Sequence, residues 1–95
     1  MTLTRSGSTI TIDGNIKSIQ DFQEIKNAVD TITTTGNSVE FILDNSMSMT
    51  SSVIGYINKV IQKDGVRVSM KVSDERLYGI LKDLNLVNVF NVRIA

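Results

Sequence analysis

The chain has 95 residues, 41% apolar and 21% charged, which is room for one core and not for two. Cys and His are both absent, which excludes disulfides, thiol nucleophiles, imidazole acid–base chemistry and the usual zinc ligand sets. Ten basic residues balance ten acidic ones with no Lys/Arg cluster, so a nucleic-acid backbone finds little electrostatic support.

The opening MTLTRSGST carries no apolar signal segment, and no apolar run approaches the length of a membrane span. A cytoplasmic protein is expected. Leu3, Ile10 and Ile12 stand among Thr and Ser on either side of Ser6-Gly7, the pattern of two short strands in a hairpin, and Asp13-Gly14-Asn15 marks a turn. A helix follows from about Ser18 to Thr33, with Ile19, Phe22, Ile25, Val29 and Ile32 as its apolar stripe. Ser18 suits the N-cap, with Asp21 at capping-box spacing, and Gly36 suits a left-handed helix end. Val39, Phe41 and Leu43 alternate as a strand, and Ile42 between them predicts burial on both faces.

Asp44 to Thr50 is a polar loop interrupted by Met47 and Met49. A second helix opens near Ser51 or Ser52, with Val53, Ile54, Ile57, Val60 and Ile61 as its stripe and Asp64-Gly65 as its end. Val66, Val68, Met70 and Val72 form a half-buried strand. Ser73 or Asp74 caps a third helix with the stripe Leu77, Ile80, Leu81 and Leu84, ended at Asn85. A last strand is predicted over Val89–Ile94. The expected architecture is α/β in the order β-β-α-β-α-β-α-β, a mixed, mostly parallel sheet with only the first strand antiparallel.

That order, and particular residues within it, resemble a STAS domain of the bacterial anti-sigma factor antagonist type. The family's middle strand ends in an Asp-Leu-Ser-like turn, matched by Asp44 and Ser46. Its Asp-Ser-Ser-Gly-Leu-Gly helix opening is matched by Ser51, Ser52 and Gly55, with Ile54 for its Leu. Lys63-Asp64-Gly65-Val66-Arg67-Val68 and the stretch Leu81 to Phe90 resemble the family's helix-to-strand passage and its close. The likeness runs from about Leu3 to Val92. The family's Asp before the key Ser stands as Thr50 and its first Gly as Val53, the loop between the two elements is about two residues shorter, and the chain reaches Ala95 without the usual final helix.

The resemblance implies a non-enzymatic regulatory module without cofactor. In the antagonists it resembles, the Ser matched by Ser51 is phosphorylated by a serine kinase that also holds a sigma factor, and a phosphatase restores it. Partner-binding candidates are Asp44, Ser46, Met47, Met49, Thr50, Ser51, Ser52, Gly55 and Tyr56, with Ser52 the alternative phosphosite. Against this stands the plainer reading of Ser51 or Ser52 as an N-cap, worth about 1 kcal/mol over Ala. Met47 and Met49 fit an adaptable binding surface or a core tucked under the loop. Tyr56 fits an interface aromatic or a shield for the core, and Gly55 a close backbone approach or packing. Asp13 and Asp44, at one sheet edge, offer a weak hint of a cation or phosphotransfer site, but turn formation accounts for Asp13 and no metal is expected. The departures at Thr50 and Val53 favour a second function, a STAS subunit never phosphorylated, as in lipid-transport ABC complexes. An open edge at the first strand leaves pairing into a homodimer available.

Overall fold

The computed structural model describes all residues, 1–95. Its elements are β1 (Thr2–Ser6), β2 (Thr9–Asp13), α1 (Ile19–Thr33), β3 (Ser38–Asp44), α2 (Ser51–Gln62), β4 (Arg67–Val72), α3 (Glu75–Asp83) and β5 (Val92–Ile94). Strand order follows chain order, β1-β2-β3-β4-β5, with β1 antiparallel to β2 and the remaining pairs parallel. This is the expected mixed α/β sheet. The first hairpin turns on Gly7-Ser8, one residue later than expected. Gly7 has φ 60°, the positive value that the first position of a II′ loop demands.

Because the strand order never reverses, right-handed crossovers place all three helices on one face of the sheet. Burial agrees. Ile10 and Ile12, then Val39, Phe41 and Leu43, then Val68, Met70 and Val72 are buried, while the residues between them are half-exposed or exposed. Ile42 is therefore not buried on both faces. It lies half-buried on the bare side, with Thr11 and Lys71 as its register neighbours. No helix covers it, because no crossover runs the other way. On the same bare side Arg93 and Glu40 form an ion pair at 3.5 Å, an exposed contact worth about 0–1 kcal/mol.

The core holds 22 buried apolar residues. α1 contributes Ile25, Ala28, Val29 and Ile32, α2 contributes Val53, Ile57 and Val60, and α3 contributes Leu77 and Leu81. Six expected stripe members fall outside it: Phe22, Ile54 and Ile61 pack half-buried against it, and three are exposed. Ile19 is 79% exposed, Leu84 52% and Ile80 37%. Ile19 precedes Ile25 by six residues, which at 3.6 residues per turn sets it about 120° off the buried face. Ile80 flanks the buried Leu77–Leu81 line, and Leu84 is the helix C-cap.

The capping box at α1 forms as the sequence implied. Ser18 accepts from the Asp21 backbone, and the Asp21 carboxylate accepts from the Ser18 and Lys17 backbone N–H groups. The Lys17 bond is the leading cause that holds the Asp21 carboxyl below its ordinary value. Gly36 does not take a left-handed conformation; the cap is Thr34 in a right-handed one. Asn85, after the α3 cap, does turn left-handed with φ 59°. The last strand is three residues long, not six, because residues 87–91 coil into successive turns that bury Phe90. No helix is long and apolar enough to cross a membrane.

α1 and α2 lock through an edge-to-face contact between Phe22 and Tyr56, with centroids 5.6 Å apart and planes at 72°. Burial first, and then the nearby Asp30 charge, push the Tyr56 phenol up to about 12. The fold thus prefers the neutral phenol. This contribution is complete below the unfolded value of 10 and is lost as pH rises through about 12. Urea midpoints of the wild type should therefore drop more between pH 9 and 12 than those of Tyr56→Phe. Equal drops would show that Tyr56 carries no such linkage.

Candidate docking site at the amino end of the second helix

The loop between β3 and α2 is stitched to the turn between β2 and α1. Asn45, with φ 55°, donates from its side chain to Asp13 Oδ1 at 2.9 Å. Its backbone N–H donates to Ser73 Oγ at 3.2 Å. Ser46 Oγ donates to the Gly14 carbonyl at 2.7 Å, and the Met47 N–H donates to Asn15 Oδ1 at 2.8 Å. Five small polar residues, Asp13, Asn15, Asn45, Ser46 and Ser73, thereby hold the loop that leads into α2. Asn15, Ser46 and Ser73 bond backbone groups, which short side chains reach across a tight crossing, and Asn45 pairs with the Asp13 side chain.

This stitching separates the expected binding residues. Ser46 is 0% exposed and is a structural clasp, not a surface group. Met49 is buried in the core, whereas Met47 stays 39% exposed. Thr50 is the N-cap of α2; its hydroxyl accepts from the Val53 N–H at 3.3 Å. Neither Ser51 nor Ser52 is the cap. They occupy the first two helical positions, both exposed, with hydroxyls not engaged in capping. Thr at position 50 has a local reason, since its hydroxyl caps the helix.

Asp44 is half-buried at the end of β3 and is the register partner of Asp13, so the two residues are neighbours at one end of the sheet. No third acidic or ligating side chain joins them. Gly55 is exposed in the second turn of α2, not the first, and a Cβ there would meet nothing within 4 Å. Packing does not require that glycine. Tyr56 shields the core against Phe22 and lines a cleft at the other end of α1 and α2, beside Asp30 and Asp64, away from Ser51.

The structure adds residues that sequence reasoning missed. A cleft of about 220 Å³ opens between the amino ends of α1 and α2, lined by Lys17, Ser18, Ile19, Phe22, Thr50 and Ser52. The exposed Ile19 forms its rim. The signal was available in the sequence, since Ile19 sits directly after the N-cap and out of phase with Ile25. Electrostatically the two helices differ: α1 has Asp21 in its first turn and α3 has Glu75, while α2 has no acidic residue there. The positive end of the α2 dipole is uncompensated. Compared with protein-family models, curated proteins and solved structures, the chain matches none of them.

Proposed function

We propose that this chain is a non-enzymatic, STAS-like docking module of the anti-sigma factor antagonist kind, controlled by phosphorylation at the start of α2. The observation that carries the reading is the placement of Ser51 and Ser52, exposed at the first two helical positions while Thr50 performs the capping. The surrounding surface supports it. Ile19 lines one cleft with Ser52, Met47 is a second exposed apolar group in the loop before α2, and Gly55 leaves the α2 backbone bare. The partner is a serine kinase that binds the unmodified face, with a phosphatase to reverse the mark.

A phosphate adds about −1.5 to −2 charges and three acceptor oxygens. At a helix amino end it meets free N–H groups and a favourable dipole, so α2 persists. Docking is lost because a dianion stands where apolar anchors must be desolvated. The test is incubation with host extract and ATP, followed by mass spectrometry. Phosphate on Ser51 or Ser52 is expected, with none on the double Ser→Ala variant. Ser→Asp at either position should weaken capture of the partner by about tenfold or more, equivalent to about 1.4 kcal/mol, without lowering the melting temperature. Phosphate found only elsewhere would overturn the proposal.

A further inference from the structure

The two edges of the sheet, β1 and β5, are built differently. β5 is three residues long, follows the run of turns over residues 87–91, and commits its Arg93 to Glu40. A short strand with a charged side chain is a blunted edge. β1 is five residues long, in unbroken register with β2, and free of proline, lysine and bulges. Its open backbone groups can be assigned. The Glu40 N–H donates to the Ser8 carbonyl at 2.9 Å, so the even-numbered residues of β2 face β3 while Thr9, Thr11 and Asp13 face β1. Their register partners Ser6, Thr4 and Thr2 turn inward to meet them, which leaves the N–H and C=O groups of Leu3 and Arg5 pointing out of the sheet.

We propose that β1 pairs with β1 of a second copy of this chain, antiparallel about a two-fold axis at Thr4, so that the two sheets become one. The pairing goes beyond the docking reading and does not depend on it. Centred on Thr4, all five residues overlap, and each outward-facing Leu3 meets the other copy's outward-facing Arg5. On the bare side Thr4 meets Thr4 and Thr2 meets Ser6, hydroxyl pairs that suit adjacent strands. Centring on Arg5 would oppose two like charges, and centring on Leu3 would leave Arg5 and Ser6 beyond the partner strand.

Charge complementarity names the second copy as the occupant. α1 turns Phe22 toward Tyr56 of α2, while Thr31 lines a cleft with Arg5. At about 100° per residue, Gln20, Glu24 and Asn27 fall within about 40° of Thr31, on the flank of α1 that overhangs β1. Glu24 is the one charged residue of that flank and Arg5 the one charged residue of β1. Within one chain they form no ion pair, because Glu24 lies about 10 Å back along α1 from Thr31. α1 runs in the direction of β1, and the two-fold sets the second copy's Arg5 opposite Leu3, about 7 Å back in that same direction. Each Arg5 thus moves toward the level of the other copy's Glu24. It gives up only an exposed 3.2 Å bond to the Gly7 carbonyl.

The experiment is sedimentation equilibrium of the full chain from about 10 µM to about 1 mM, the range in which a small interface associates. The average mass of the wild type should rise from one chain toward two. Arg5→Glu and Glu24→Arg should each weaken association about tenfold, and the double variant should recover it. Arg5→Pro removes an outward N–H and no bond to β2, and should abolish association. Arg5 and Glu24 are exposed, and circular dichroism verifies that every variant is folded. The mass of a single chain at every concentration would refute the pairing. So would association that survives Arg5→Pro, or a double variant as weak as the single ones. No kinase or docking partner is needed, so the result is separate from the mass-spectrometric test of the docking reading.

Discussion

Phe41→Ala should lower the unfolding free energy by about 3–5 kcal/mol, measured by urea denaturation at neutral pH. Phe41 sits in the middle of the central strand, fully buried, with Ile10 and Met70 as its register partners on either side. Removing its ring deletes the transfer free energy of the largest type of side chain in this core. It also leaves a cavity that strands on both sides cannot collapse into without breaking register. A domain of this size has about 5–15 kcal/mol in total, so the variant should fold with much of its margin gone. The neighbouring Ile42→Thr is the internal comparison. It keeps the β-branch, faces the bare side, and should cost under about 1 kcal/mol. If the two substitutions cost the same, the sheet has a second dry face and the one-sided arrangement of helices is wrong.

Ser46→Ala should cost about 1–3 kcal/mol, although it removes a single oxygen atom. The Ser46 hydroxyl is sealed from solvent and gives its proton to the Gly14 carbonyl at 2.7 Å, with the Asp44 carbonyl at 3.3 Å as a second acceptor. Alanine leaves the part-buried Gly14 carbonyl short of a donor. The loss is local as well as global. This bond, with the Met47–Asn15 bond beside it, holds the start of α2 against the start of α1, and so sets the width of the cleft that contains Ser52. Hydrogen exchange of the amides of residues 46–53 should accelerate in Ser46→Ala more than the drop in global stability explains. The exposed Ser48→Ala should be neutral in both measurements. Exchange that rises uniformly over the chain would show that the clasp does not define the site.

The fold was legible where periodicity and punctuation agreed. Alternation at Val39–Phe41–Leu43 and Val68–Met70–Val72, the Ser18–Asp21 box and the turn glycines fixed the elements and their order. The errors share a cause, which is that a local pattern does not show what covers it. Ile42 and Ile80 are apolar enough for a core, but burial depends on where helices pack, a property of the crossovers and not of the residue. Val89 and Phe90 resemble a strand; that Phe90 instead anchors a run of turns is decided by tertiary packing, which overrides β-propensity. In the site, Ser51 and Ser52 were legible as helix-opening hydroxyls. That Ser46 would be sealed depended on its contact with Gly14, 32 residues away in sequence. Lys17 escaped notice because nothing in its own neighbourhood marks it; only the approach of two helix entrances does.

The sequential strand order bears on how the chain assembles as it leaves the ribosome. Each strand after the first docks beside the one made just before it, and none must be threaded between two already paired. The hairpin of β1 and β2 offers a free edge to β3, which offers the next to β4, with only one helix of chain to loop out at each step. Short closures of this kind keep contact order low for a parallel sheet and favour rapid, vectorial growth from the amino terminus. β1 remains one edge of the sheet throughout, and until β5 arrives the other edge is always the newest strand, so each of β2, β3 and β4 is open to a neighbouring chain only during the synthesis of one crossover.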